Sequence, residues 1–332
     1  MTLEALLEAH GAVRGDAGQI LDYGDQESEG RALLERAGLV LRTDLTVLRL
    51  EGDSALELLH NVTTQALQDL PQGASRQACL LTPKGRILGC FTVVRADHLH
   101  LVVARDALPR VQPVLARYGM LLDVEVSESQ ADRHVVELLG PAADTVLGAA
   151  GLPVPAARLL EAMADGFVVG QPVGDLPGHL LWLSASAIET LAGAPGVDLV
   201  GQAARERLRI DVGQPLDGAE LTDSVLFNEA GLEDHVSWNK GCYPGQEPVV
   251  MAKHRGHPPR LLCHLQVEGD TLPPVGTTLA VEEREVGEIT SVAVGLRAPA
   301  IRALGYVRHA AAEVGNALTL PDGRRARIER LP

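Results

Sequence analysis

Two segments of this 332-residue chain match at a fixed offset of 88 residues, and that recurrence limits the folds open to it. VLRLEGDSALELLH (47–60) and VVELLGPAADTVLG (135–148) share Val47/Val135, Leu50/Leu138, Gly52/Gly140, Ala55/Ala143 and Leu59/Leu147. Each reads as a strand, a glycine turn and a helix. In the first, Ala55, Leu58, Leu59 and Val62 fall at helical spacing, with Asp53 or Ser54 as the N-cap. A duplication and the ordinary geometry of any strand–turn–helix unit both account for the matches. Either way the pattern predicts two α+β units.

In the first unit a helix followed by a polar turn is expected over 27–45, then strands over 45–50, 77–82, 86–95 and 98–104. Pro83-Lys84-Gly85 supplies the turn between the second and third of these strands. A helix over 106–118 and a strand over 121–126 complete a ferredoxin-like layer, with helices on one face of an antiparallel sheet. The second unit places strands near 167–169 and 180–183 and a helix near 203–209. The last 75 residues differ in kind. Leu261, Cys263, Leu265 and Val267 alternate with Leu262, His264 and Gln266, and glycines recur at 269, 276, 287, 295, 305, 315 and 323. Short strands between regular turns predict a small antiparallel β-barrel. The expected modules are therefore 1–130, 131–255 and 256–332.

With 44 acidic and 29 basic residues the formal charge is −15, which argues against direct, non-specific binding of nucleic acid. No run of about 18 uncharged apolar residues is present, so no membrane span is expected. Glu4 and Glu8 stand where a signal peptide would be basic and then apolar, which points to a cytoplasmic protein. Cys79, Cys90, Cys242 and Cys263 contain no CxxC pair and do not read as a disulfide framework. Only three of the basic residues are lysines (Lys84, Lys240 and Lys253), so each is a candidate for a task that needs a compact ammonium.

The stretch 211–260 has little hydrophobic periodicity, as functional segments often do. Residues 227–253 hold eight of the chain's 20 Lys, Asn, Trp, Tyr, Phe and Cys, a composition that suits the lining of a site. Within it, N-K-G-C-Y-P-G-Q-E-P (239–248) sets Cys242 between two glycines, two residues from Lys240, ahead of a helix start at Gln246-Glu247-Pro248. Those surroundings favour a thiolate; a packed small hydrophobe is the alternative for the same residue. The segment 253–260 carries Lys253, Arg255 and Arg260 and no acid, which suits an anionic ligand tail. A solvated loop after a helix C-terminus is the alternative there. His254, His257, Cys263 and His264 match no standard zinc spacing, so no metal site is expected.

KGCYPGQE (240–247) followed by AKHRG (252–256) resembles the signature of the YgfZ-type folate-binding proteins. These are relatives of the glycine-cleavage T-protein, an aminomethyltransferase, and are associated with iron–sulfur cluster maintenance and tRNA modification. Weaker matches follow in order, among them VLRLEGDSALELLHNVTTQAL (47–67), LLTPKGRILGCFTVV (80–94) and RLRIDVGQP (207–215). The resemblance implies a three-module ring around a central cavity that takes tetrahydrofolate or a one-carbon-substituted folate, with iron–sulfur proteins or tRNA-modifying enzymes as partners. It implies that Asp211 anchors the pterin, since a carboxylate accepts paired N–H donors. With the local chemistry, it designates Cys242 and Lys240 as reacting groups. Lys240, Tyr243, Gln246, Glu247, Lys253 and Arg255 are the further folate contacts. Where the T-protein keeps paired aspartates, this chain has Gly89 and Cys90, so aminomethyl transfer would need another base, such as Glu247 or the thiol. A non-enzymatic docking factor is the third possibility.

Overall fold

The structure, a computed structural model, describes residues 3–16, 18–129, 132–164, 166–254 and 256–331. The first unit is a five-stranded antiparallel sheet in the order Ala74–Leu81, Ile87–Arg95, Leu99–Ala104, Leu45–Glu51, Glu125–Glu128. Helices Ala55–Val62 and Leu108–Leu122 cover one face, where Leu58, Leu59, Leu101 and Leu115 are fully buried. The two matched segments adopt the same local structure. Gly52 (φ 136°) and Gly140 (φ 127°) both turn the chain from strand to helix through backbone that L side chains rarely adopt. A Cβ at either would lie 2.5 Å from a backbone carbonyl oxygen, that of Asp123 or Arg36.

The second unit departs from the expected boundaries. Its six-stranded sheet runs Leu160–Met163, Gly166–Gly170, Gly178–Ser184, Arg133–Leu139, Ala37–Leu41, Val197–Val200. The helix expected over 27–45 stops at Glu35, and Ala37–Leu41 is a strand between Arg133–Leu139 and Val197–Val200. An unbroken apolar run such as GLVL fits a buried strand as well as a helix, and periodicity cannot separate the two. Here Leu39 and Val40 are buried, because the strand is paired along both edges and covered on both faces. Ala37–Leu41, within the module expected over 1–130, therefore belongs to the second sheet and not the first.

The helix-free faces of the two sheets pack on each other. Val47, Val94 and Val102 of the first meet Val135, Phe167, Val169 and Trp182 of the second. The barrel is closed in the order Arg260–Val267, Ile301–Arg308, Arg284–Val294, Thr278–Val281, Ala317–Thr319, Arg325–Arg330. Cys263, Leu265 and Val267 point into its core as the alternation requires, while Leu262 joins a separate core with Tyr243 and Tyr306. Helix Gln202–Val212 lies where the modules meet, against both the second sheet and the barrel. No helix among the described residues is long and apolar enough to cross a membrane.

Candidate functional site

A central cavity of about 160 Å³ lies between the two sheets and the segment that leaves helix Gln202–Val212. Gln77, Thr92 and Gln171 line both this cavity and an outer cleft of about 840 Å³, so the two adjoin.

Its polar wall is a relay of buried ion pairs. Arg42 grips Asp44 through Nε (2.9 Å) and Nη2 (2.7 Å), and its Nη1 lies 2.7 Å from Glu137. Arg205 donates to Glu137 through Nε (2.6 Å) and Nη2 (3.2 Å) and to Gln214 (3.0 Å). One turn on, Arg209 donates to Glu206, Glu220 (2.8 Å), the Gln214 carbonyl (2.8 Å) and Ser291 of the barrel (2.7 Å). Thr290 and Ser291 both donate to Glu220 Oε1. Burial alone would raise the Glu137 carboxyl, but Arg205 and Arg42 outweigh it and hold the pKa at about 2. Asp44 is likewise held at about 2, burial being outweighed by Arg42. The wall therefore stays ionised at neutral pH, and its charges are already matched.

Asp217 is different. It lines the same cavity, its side chain is 8% exposed, and its Oδ1 has no hydrogen-bond partner. Burial raises its pKa to about 7, against Arg110 and the Cys90 backbone N–H, both of which favour the charged form. His235, on the opposite lining, also has an unpartnered buried nitrogen, Nδ1; burial lowers its pKa to about 4, so it is a neutral imidazole.

The residues designated from sequence lie elsewhere. Asp211 accepts from the backbone N–H groups of Leu296 (2.7 Å) and Arg297 (3.1 Å) and sits 3.8 Å from Arg302. Its oxygens tie the helix to a barrel loop. Lys240 Nζ donates to the carbonyls of His60, Thr63 (2.6 Å) and Gln65 (3.1 Å), closing the C-terminal end of helix Ala55–Val62. Its ammonium points at those carbonyls and lies 5.0 Å over the Tyr243 ring; burial lowers its pKa to about 8. Tyr243 is buried in an apolar core and its hydroxyl is raised to about 12 by that burial. Cys242 is solvent-exposed. Gln246 opens helix Gln246–His254 as expected, with Glu247 exposed in its first turn. Lys253 pairs with Glu233 (2.9 Å) and stacks 3.7 Å over Trp238. None of these described residues lines the central cavity or the outer cleft. Arg255 lies outside the described residues.

Cys79 and Cys90 face each other on adjacent strands (Cα–Cα 4.2 Å) and form a disulfide, which a count of CxxC motifs could not anticipate. Sequence reasoning also missed the arginine–carboxylate relay and Asp217. A signal was present: Arg205 and Arg209 stand one helical turn apart on a helix that packs against two modules, so both had to be buried and paired.

Compared with known proteins, the chain matches the GCVT N-terminal domain family over residues 6–155. A chloroplastic protein of Arabidopsis thaliana described as a transferase is 28% identical, over 86% of this chain and 68% of that protein. An aminomethyltransferase of Streptomyces avermitilis is 29% identical, over 95% and 91% respectively. The crystal structure of the glycine cleavage system aminomethyltransferase T from Bartonella henselae superposes with a TM-score of 0.90 at 25% identity, covering 100% of this chain and 97% of that one. These matches support the T-protein superfamily and the mixed α+β fold with its closed barrel.

Proposed function

We propose that this chain binds a reduced folate, tetrahydrofolate or a one-carbon-substituted form, in the central cavity. As the KGCYPGQE signature implies by resemblance, it serves in that state the assembly or repair of iron–sulfur enzymes, including those that thiolate tRNA. The observation that carries the folate reading is the cavity itself. It lies between the two sheets of a T-protein-like fold, adjoins an outer cleft with room for a tail, and is lined by a carboxylate that no arginine hydrogen-bonds. Cavity and cleft together are of the size that holds a small organic ligand. Anaerobic calorimetric titration with tetrahydrofolate should give saturable binding to one site per chain. A flat titration overturns the folate reading. The iron–sulfur reading predicts a loss of thiolated tRNA nucleosides, measured by mass spectrometry, in cells lacking the protein.

A second reading is folate-dependent one-carbon transfer. It is favoured by matches to aminomethyltransferases over most of the chain. Gly89 and Cys90 offer it no carboxylate, so it needs a group from another segment.

A further inference from the structure

A buried carboxylate oxygen with no donor is costly, and folded proteins rarely leave one. Glu137, Asp44, Glu206 and Glu220 are each bonded to arginine. Asp217 is the cavity-lining carboxylate, among the described residues, to which no arginine donates a hydrogen bond. Arg110 stands 4.0 Å away; its Nε donates to the Leu88 carbonyl (2.9 Å) and its Nη2 has no acceptor. The carboxylate also borders Gly89: a Cβ there would lie 3.9 Å from Oδ1 and would clash with Val111 and Ala107, so that wall is bare backbone.

We propose that Asp217 is the carboxylate that holds the ligand, accepting an N–H from a planar nitrogen heterocycle of the pterin class in the cavity it lines. The proposal rests on the folate reading above. It assigns to the segment after the helix a task for which Asp211 is already engaged with the barrel loop and for which residues 89 and 90 have no carboxylate.

Binding then carries a proton signature. With a pKa of about 7, Asp217 is about half protonated at neutral pH in the free protein. A ligand N–H favours the ionised form and lowers that pKa, so binding releases a proton. The groups that face Asp217 do not blur the signal. Glu137 is held ionised by Arg205 and Arg42, Arg110 favours the charged form of Asp217 while Asp106 disfavours it, and His235 is neutral above about pH 4.

The test is anaerobic calorimetry with tetrahydrofolate in buffers of different ionisation enthalpy. Wild type should release up to about half a proton at pH 7 and bind about tenfold more tightly at pH 8 than at pH 6. Asp217→Asn should lose both the proton release and the pH slope, and bind about tenfold more weakly at pH 8. Asp211→Asn should keep the proton release and melt at a lower temperature. Wild-type binding with no proton exchange overturns the proposal without reference to any variant. So does a folded Asp217→Asn that matches wild type in affinity and proton count. A flat wild-type titration removes the folate reading and this proposal together, whereas either of the other two results removes this proposal alone.

Discussion

The loop 239–248 and the segment 213–221 lie in one irregular stretch of chain and do opposite things with their polar groups. The loop holds the rare residues, yet Lys240 closes a helix end, Tyr243 fills a core, and Cys242 looks outward. The segment holds common residues, yet Glu220 joins the relay through Arg209 and Asp217 faces the cavity unpaired. Unusual composition marks a place where substitution is restricted. Whether packing or ligand chemistry imposes the restriction is decided by what each polar atom touches.

Three substitutions would break or sharpen that contrast. The largest effect belongs to the relay. Arg209→Ala leaves Glu220 buried without its cation and should cost about 3–5 kcal/mol in urea unfolding. A loss below about 1 kcal/mol would mean that the relay does not bind the modules together. Next is Lys240→Ala, which removes three charge-assisted bonds at the end of helix Ala55–Val62. It should cost about 2–3 kcal/mol while leaving tetrahydrofolate affinity within about threefold. A large affinity loss at unchanged stability would return Lys240 to the ligand site. The smallest effect is Cys242→Ser, expected within about 0.5 kcal/mol of wild type. In the native wild type, iodoacetamide should modify Cys242, which is exposed, and spare Cys263, which is buried in the barrel with its pKa raised to about 12. Modification of Cys263 at a comparable rate would contradict the closed barrel.

Much of the architecture was legible in the chain. The 88-residue recurrence became two units with matching glycine turns, and the alternation from Leu261 to Val267 became the inner face of a barrel strand. The error over 37–41 has a physical source. A short apolar run carries no period, so its identity as a strand depends on the two neighbours that pair with it. The site was less legible. The resemblance designates Asp211, and rarity, charge and reactivity designate the residues over 240–255; neither signal registers what a polar atom touches. Asp211 and Asp217 lie six positions apart in similar company, and only their surroundings separate them: two backbone N–H donors of a barrel loop for one, the wall of the cavity for the other.

By itself, then, the sequence determined the local units, because periodicity and turn residues act over a few positions and need no distant partner. It also set the acidic charge and the arginine-rich cation set. The tertiary structure decided which strand completes which sheet, that Cys79 meets Cys90, and that Lys240 is bound to carbonyls far from it in sequence. It also left Asp217 buried, with one oxygen lacking a hydrogen-bond donor. Those outcomes depend on desolvation and on partners supplied by remote segments, so a carboxylate's role is fixed only when the fold closes around it.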